Sequence, residues 1–404
     1  MNINAINRVL GFLSLIALAP LLIFSQTGQK QTISSAIPVF TVIPYEDATG
    51  LLIVPVTIEG KTYRFLFDTG AFTAIAPELD SILQLKKEGQ INFVDANNIA
   101  GSASFIDLKD IAVGSLKFFN KRTALFASPL FKCLGIEGVL GNDLLSNYIV
   151  MIDPVKKQIT ITDQLNKLTF SRNKAAGSPV TLTQQKSPFI DTRLTHETTG
   201  AFVTVFDTGF RGFYQVSRLF AADPEMSSYF RVLDSGRIKG SNSLSVYDQN
   251  IETLETHYRM LLPELHIGNA RFLDVPVQSM DKPYNALGVE LLKYGACILD
   301  NKNKKFYFLP DKTTINMGDG EWPVSLGLSD DNLIITYVWD PKLRSQLEIG
   351  DQILAIGNHS YDGNNFCDLL TRIPFPDNAD SEAITIKDQK GNIRKVILKK
   401  EDYD

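Results

Sequence analysis

The stretch YRFLFDTGAFTAIAP, Tyr63 to Pro77, places an acid, Asp68, directly after an apolar run suited to burial. An Asp-Thr-Gly tripeptide after a strand can be an ordinary turn, because Asp and Gly both favour turns. The stretch becomes informative because it recurs. GAFVTVFDTGFRGFYQVS carries Asp207, Thr208 and Gly209 after a second run of apolar and β-branched residues. Downstream, LKDIAVGSLKF (Leu108 to Phe118) is answered by LPELHIGNARF (Leu262 to Phe272), with Gly114 matching Gly268. Further on, VLGNDLLSNYIVMIDPVKKQITI (Val139 to Ile161) is answered by ALGVELLKYGACILDNKNKKFYF (Ala286 to Phe308). Three blocks in the same order read as duplication of one unit of roughly 140 residues.

Each unit reads mainly as strand. LLIVPVTIEGKTYRFLFDTG alternates around Val54, Val56 and Ile58, with a hairpin turn at Glu59-Gly60. The second copy places its turn near Thr199-Gly200, and Asp191, Arg193, His196 and Glu197 interrupt its alternation. Helical signal is confined to short stretches such as PELDSILQL and those after Leu140-Gly141 and Leu287-Gly288.

The whole chain sets limits on this reading. At 404 residues it exceeds one hydrophobic core. With 40 Lys and Arg against 45 Asp and Glu, and no long basic block, it offers nothing to a nucleic-acid backbone. Near the N-terminus, VLGFLSLIALAPLLIF (Val9 to Phe24) is continuously apolar and is followed by polar sequence. Residues 1–26 thus read as a signal peptide or an N-terminal anchor, short for the ~18 residues or more of a spanning helix and interrupted by Pro20. Export to the periplasm, the cell envelope or the medium is the expectation, with membrane attachment only if that segment is retained. Cys133, Cys297 and Cys367 are odd in number and lack metal-ligand spacing, so buried thiols are expected rather than a disulfide framework or a zinc site. His196, His257, His266 and His359 are equally scattered and mark no site.

The paired motifs resemble the pepsin and retropepsin clan of aspartic proteases. In that clan each lobe supplies an Asp-Thr-Gly or Asp-Ser-Gly turn and later an apolar-apolar-Gly segment before a short helix. Asp68-Thr69-Gly70 and Asp207-Thr208-Gly209 match the first element, and Val139-Leu140-Gly141 and Ala286-Leu287-Gly288 the second. The resemblance spans about residues 40 to 310. It implies a mainly β, two-lobed acid-protease-like barrel fold, with lobes at 37–170 and 171–312, and an aspartic endopeptidase acting on a polypeptide. It makes Asp68 and Asp207 the catalytic pair, with Thr69, Gly70, Thr208, Gly209, Gly141 and Gly288 supporting the loops. The threonine hydroxyls are expected to hydrogen-bond across the lobe interface. Two carboxyls in contact cannot both ionise cheaply, so the pair shares one proton, serving as base towards water and as acid towards the carbonyl oxygen. No metal, nucleotide or organic cofactor is implied. Ala71 suits the position after the glycine; Phe210 does not, and is expected to distort the second loop or fill a substrate subsite. Flap hairpins are expected at Phe93 to Phe105 and at Leu233 to Ser245. A pepsin-like peptide-binding protein of the cell envelope, without catalysis, is the competing reading.

After Pro310 the repeat ends. DKTTINMGDGE reads as a linker, and about 80 residues follow, over 320–400, that resemble a PDZ domain of the bacterial protease-associated kind. Ser325-Leu326-Gly327-Leu328 stands where the carboxylate-binding loop is expected, LEIGDQILAIGNHSY matches the following strand, and NFCDLLTRI the helix beside the groove. The implied partner is a C-terminal peptide added as a strand.

Overall fold

The computed structural model describes residues 38–94, 100–125, 127–170, 176–238, 255–318, 320–361, 363, 365–376 and 379–401. The N-terminal apolar run lies outside them.

The hairpin leading to Asp68 pairs Leu51–Ile58 with Lys61–Asp68, closing with Ile58 opposite Lys61. Glu59 and Gly60 both have positive φ, 49° and 81°, the two-residue turn whose twist matches paired strands. Tyr63, Phe65, Leu66 and Phe67 are buried, so the strand is held on both faces as it delivers Asp68. It then runs parallel to Gly138–Gly141, with Asp68 beside Gly141, while Ala74–Ile75 flanks the other side of that segment. The loop after Asp68 therefore wraps the end of an inner strand.

The second lobe repeats this plan. Pro188–Thr195 pairs with Thr199–Asp207, which runs parallel to Asn285–Gly288 with Asp207 beside Gly288; Tyr214–Ser217 flanks it. The polar residues that break the apolar pattern fall on the outer face: Asp191 and Arg193 are exposed while Ile190, Thr192 and Leu194 are buried. The turn comes earlier than expected, at residues 196–198, because Thr195 already pairs with Thr199.

The lobes share a sheet. Its order is Phe40–Pro44, Gln158–Thr162, Ile149–Asp153, Gly295–Asp300, Lys305–Pro310, Gly177–Leu182. The seam joins Ile149–Asp153 to Gly295–Asp300, equivalent strands of the two copies. One apolar core runs across it, from Val150 and Ile152 to Cys297 and Leu299. This is a mainly β, two-lobed architecture built from the duplicated unit. The stretches expected as flaps adjoin paired strands, Lys87–Val94 with Ala100–Val113 and Arg231–Ile238 with Glu255–Ile267. The tip residues 95–99 and 239–254 lie outside the described ones.

Two expectations about the C-terminal part are corrected. The supposed linker contributes a strand, Thr314–Asn316, parallel to Ala270–Met280 of the second lobe. The thiols are not all free: Cys133 and Cys367 form a disulfide with Cα atoms 4.9 Å apart, and Cys297 remains as a buried thiol. The half-cystines sit on two short helices, Pro129–Leu134 and Asn365–Thr371, which pack together, a meeting that no local spacing announces.

The remaining strands form a separate sheet in the order Val324–Ser329, Asn332–Val338, Gln352–Ile356, Ser381–Lys387, Ile393–Lys399. Its attachment to the lobes is extensive. Buried Arg259 of the second lobe bonds Glu321 and Glu401, each at 2.7 Å, at the two ends of this part of the chain. Arg344 pairs with Asp234 at 3.1 Å, and the Tyr337 hydroxyl donates to the Ser235 carbonyl at 3.2 Å.

Candidate active site

The two Asp-Thr-Gly turns meet at the lobe boundary. Thr69 N–H donates to Thr208 Oγ1 and Thr208 N–H to Thr69 Oγ1, both at 3.0 Å. Each hydroxyl then donates across the boundary, Thr69 to the Phe206 carbonyl at 2.7 Å and Thr208 to the Phe67 carbonyl at 2.8 Å. Both threonines are buried, so these four bonds satisfy groups that water cannot reach. They bring the strands that carry Asp68 and Asp207 into fixed register.

The acids face each other. Their carboxyls hydrogen-bond one another, and each also accepts from its own loop: Gly70 N–H reaches Asp68 Oδ1 at 2.8 Å and Gly209 N–H reaches Asp207 Oδ1 at 2.9 Å. Burial, then the Asp207 charge and the bond from Asp207, hold the Asp68 carboxyl well above the usual range, against the opposing pull of Gly70 N–H and Lys282. Asp68 is thereby suited to keep a proton where an ordinary aspartate has lost it.

The glycines have a steric reason here. A Cβ on Gly70 would stand 2.6 Å from the Asp207 carboxyl carbon, and one on Gly209 would meet the Asp68 carboxyl equally closely. Gly141 and Gly288 pass under the loops, where a Cβ would lie 2.5 Å from the Ala71 and Phe210 carbonyl oxygens respectively. All eight residues expected from the repeat thus meet within one site.

Several residues that sequence reading missed complete it. Asp143 accepts from the Thr73 hydroxyl at 2.6 Å and from Thr73 N–H at 2.8 Å, and the same hydroxyl accepts from Gly141 N–H at 3.1 Å. Burial raises the Asp143 carboxyl, and the Thr73 bonds only partly offset this. From the second lobe, Ser187 donates to the Gly70 carbonyl at 2.8 Å, and Asn142 and Asn301 exchange amide bonds at 3.0 and 2.8 Å across the boundary. Aligning the repeats would have flagged Asp143, since an acid, Glu290, stands at the matching place.

Phe210 does not distort the second loop. Its ring packs against the cluster of Val205, Met280 and Ala286, as do Phe189 and Tyr284, and it finds room because Gly212 and Gly288 carry no side chain. A Cβ on Gly288 would lie 2.6 Å from the ring, and one on Gly212 would collide with it. The neighbouring Arg211 donates to the Leu369 carbonyl at 2.5 Å, on the disulfide-bonded helix. Ala71 and Phe72 of the first loop pack into the apolar cluster that the lobe shares with the C-terminal sheet.

Ser325, Leu326, Gly327 and Leu328 lie away from the dyad, in the strand Val324–Ser329, which ends its sheet and pairs only with Asn332–Val338 among the described residues. Ser325 accepts from Trp339 Nε1 at 2.8 Å and donates to Gln278 at 3.3 Å. Ser325 and Leu326, with Trp322 and Phe375, line a cleft of about 580 Å3 whose other wall includes Gln278 and Tyr294 of the second lobe.

The family model described as Aspartyl protease matches residues 54–144, which include the first Asp-Thr-Gly turn and Asp143. No curated protein matches the chain in sequence. Among solved structures it is similar to basic 7S globulin from soybean, with 12% identity over 69% of this chain and 98% of that one and a TM-score of 0.38. It is also similar to an aspartic proteinase from Irpex lacteus, with 13% identity over 68% and 98% and a TM-score of 0.37.

Proposed function

We propose that the protein is an aspartic endopeptidase that activates water between Asp68 and Asp207. One observation carries this reading: two carboxyls from duplicated loops hydrogen-bond each other, fixed by reciprocal threonine bonds. With one proton on the pair, the ionised carboxylate takes a proton from water as its oxygen attacks the peptide carbonyl, and the protonated one donates to the carbonyl oxygen. Collapse of the tetrahedral intermediate breaks the C–N bond, and the proton taken from water goes to the leaving amine. The arrangement has the acid and base that a binding protein does not need.

The C-terminal sheet is read as a PDZ-like domain that adds a peptide C-terminus to its end strand at Ser325–Leu328. The helix Asn365–Thr371 would respond to that peptide, and it touches Arg211 of the second catalytic loop. Export follows from the N-terminal apolar run and is supported by the Cys133–Cys367 bond, since structural disulfides persist in oxidising compartments.

Digestion of a diverse peptide library from pH 3 to 8 tests the activity. Wild type is expected to cleave, and Asp68→Asn and Asp207→Asn to lose at least ~10³-fold in kcat/KM. Equal cleavage by either variant, or none by folded wild type at any pH, would sink this reading.

A further inference from the structure

A cation stands beside the dyad. Lys282 Nζ lies 4.0 Å from Asp207 Oδ2, on the loop joining Ala270–Met280 to Asn285–Gly288. The loop is held at both ends: Arg218 Nε donates to Asp281 at 2.7 Å, and Asn285 accepts from Ser217 N–H at 3.0 Å. Asp281 also faces His257 at 3.7 Å, and Arg218 also pairs with Glu255 at 3.3 Å, so these charges are engaged with one another. The groups facing Lys282 are Asp207, Asp68 and Tyr284, which hydrogen-bonds it and whose ring centre is 5.5 Å from Nζ. Tyr284 is fixed in turn by edge contact with Phe189 at 5.2 Å.

Burying an ammonium is costly unless it is paired, and the Lys282 side chain is only 17% exposed. Burial alone would lower its pKa, yet Asp207, Tyr284 and Asp68 together hold it above the ordinary value, so it stays charged. Its anionic partner is the dyad, which carries one negative charge when it shares one proton. The three groups together are neutral, a condition that lets a site close over an uncharged peptide without stranding a charge.

We propose that Lys282 is a positioning residue of the catalytic centre, whose ammonium holds the negative charge on Asp207 and leaves the proton on Asp68. The inference rests on the dyad reading above and assigns its roles: Asp207 takes the proton from water, and Asp68 donates to the carbonyl oxygen. A fixed cation favours each ionisation of the pair, so it sets the working range at lower pH than the dyad alone would have.

The test compares pH profiles of kcat and kcat/KM for wild type, Lys282→Met, Lys282→Gln and Lys282→Arg on one cleaved peptide. Loss of the charge is expected to move both limbs of the profile to higher pH by about one to three units. Lys282→Arg is expected to keep both limbs within about half a unit. Limbs that stay in place in the neutral variants, or a uniform loss at every pH in all three, would overturn the proposal. The same shift is to be read without turnover, by 13C NMR titration of labelled aspartate carboxyls. Ionisations at the same pH in wild type and Lys282→Gln would overturn it even if no peptide were cleaved, whereas cleavage surviving Asp68→Asn and Asp207→Asn would overturn the dyad reading itself.

Discussion

In the first lobe the loop after Asp68 is pinned from below: Thr73 bonds Asp143 and Gly141, and the small residue Ala71 follows the glycine of the turn. In the second lobe the matching places hold Gly212, Glu290 and Phe210, and the loop is secured by backbone bonds, Gly288 N–H to the Phe213 carbonyl and Val289 N–H to the Phe210 carbonyl, each at 2.8 Å. Glu290 turns instead to Lys293 at 2.9 Å. The acids, the threonines and the glycines between them are the same in both copies. Symmetry survives where the two loops touch each other and lapses one residue further out, where Ala71 packs towards the C-terminal sheet and Phe210 into its own lobe.

The largest effect expected from breaking this comparison is at its symmetric centre. Thr69→Val and Thr208→Val each leave a buried N–H and a buried carbonyl unpaired, for about 2–5 kcal/mol by denaturant unfolding. The two losses should agree within about 1 kcal/mol; a much cheaper Thr208→Val would mean that the grip is one-sided. A smaller effect lies at the first unequal place. Gly212→Ala pushes against the Phe210 ring and is expected to cost about 1–3 kcal/mol. Phe210→Ala in the same chain should recover part of that loss, and additivity of the two changes would show that they do not touch. The smallest effect concerns Asp143. Its carboxyl is raised in the folded protein, so the stability it contributes is present below about pH 4 and is lost as pH rises through the folded value. Asp143→Asn keeps an oxygen for Thr73 and removes that titration. The wild-type melting temperature should therefore fall relative to the variant between pH 4 and 7, by no more than a few degrees.

What was legible in the sequence follows the same division. The dyad, the threonines and the glycines could be read because duplication wrote them twice, and alternating strands announced the hairpins that carry them. Lys282 and Thr73 were silent, since each occurs once and acquires meaning only from what the fold sets opposite it. Asp191 and Arg193 looked like irregularities in the second copy and prove to be the outward face of a strand. The fate of Phe210 depended on the missing side chains of Gly212 and Gly288, which a reading along the chain does not connect to it. The cysteines failed for a related reason: their partners are 234 residues apart, beyond any spacing rule.

That separation has a consequence for how the molecule is made. The bond between Cys133 and Cys367 turns the chain into a ring that contains the entire second lobe. The ring cannot be sealed before the chain has been made through Cys367, and it seals only where thiols are oxidised. A single cut in the second lobe would leave both pieces travelling as one molecule until reductant parts them. The covalent seal is in effect a receipt for a second lobe made whole and for oxidising surroundings.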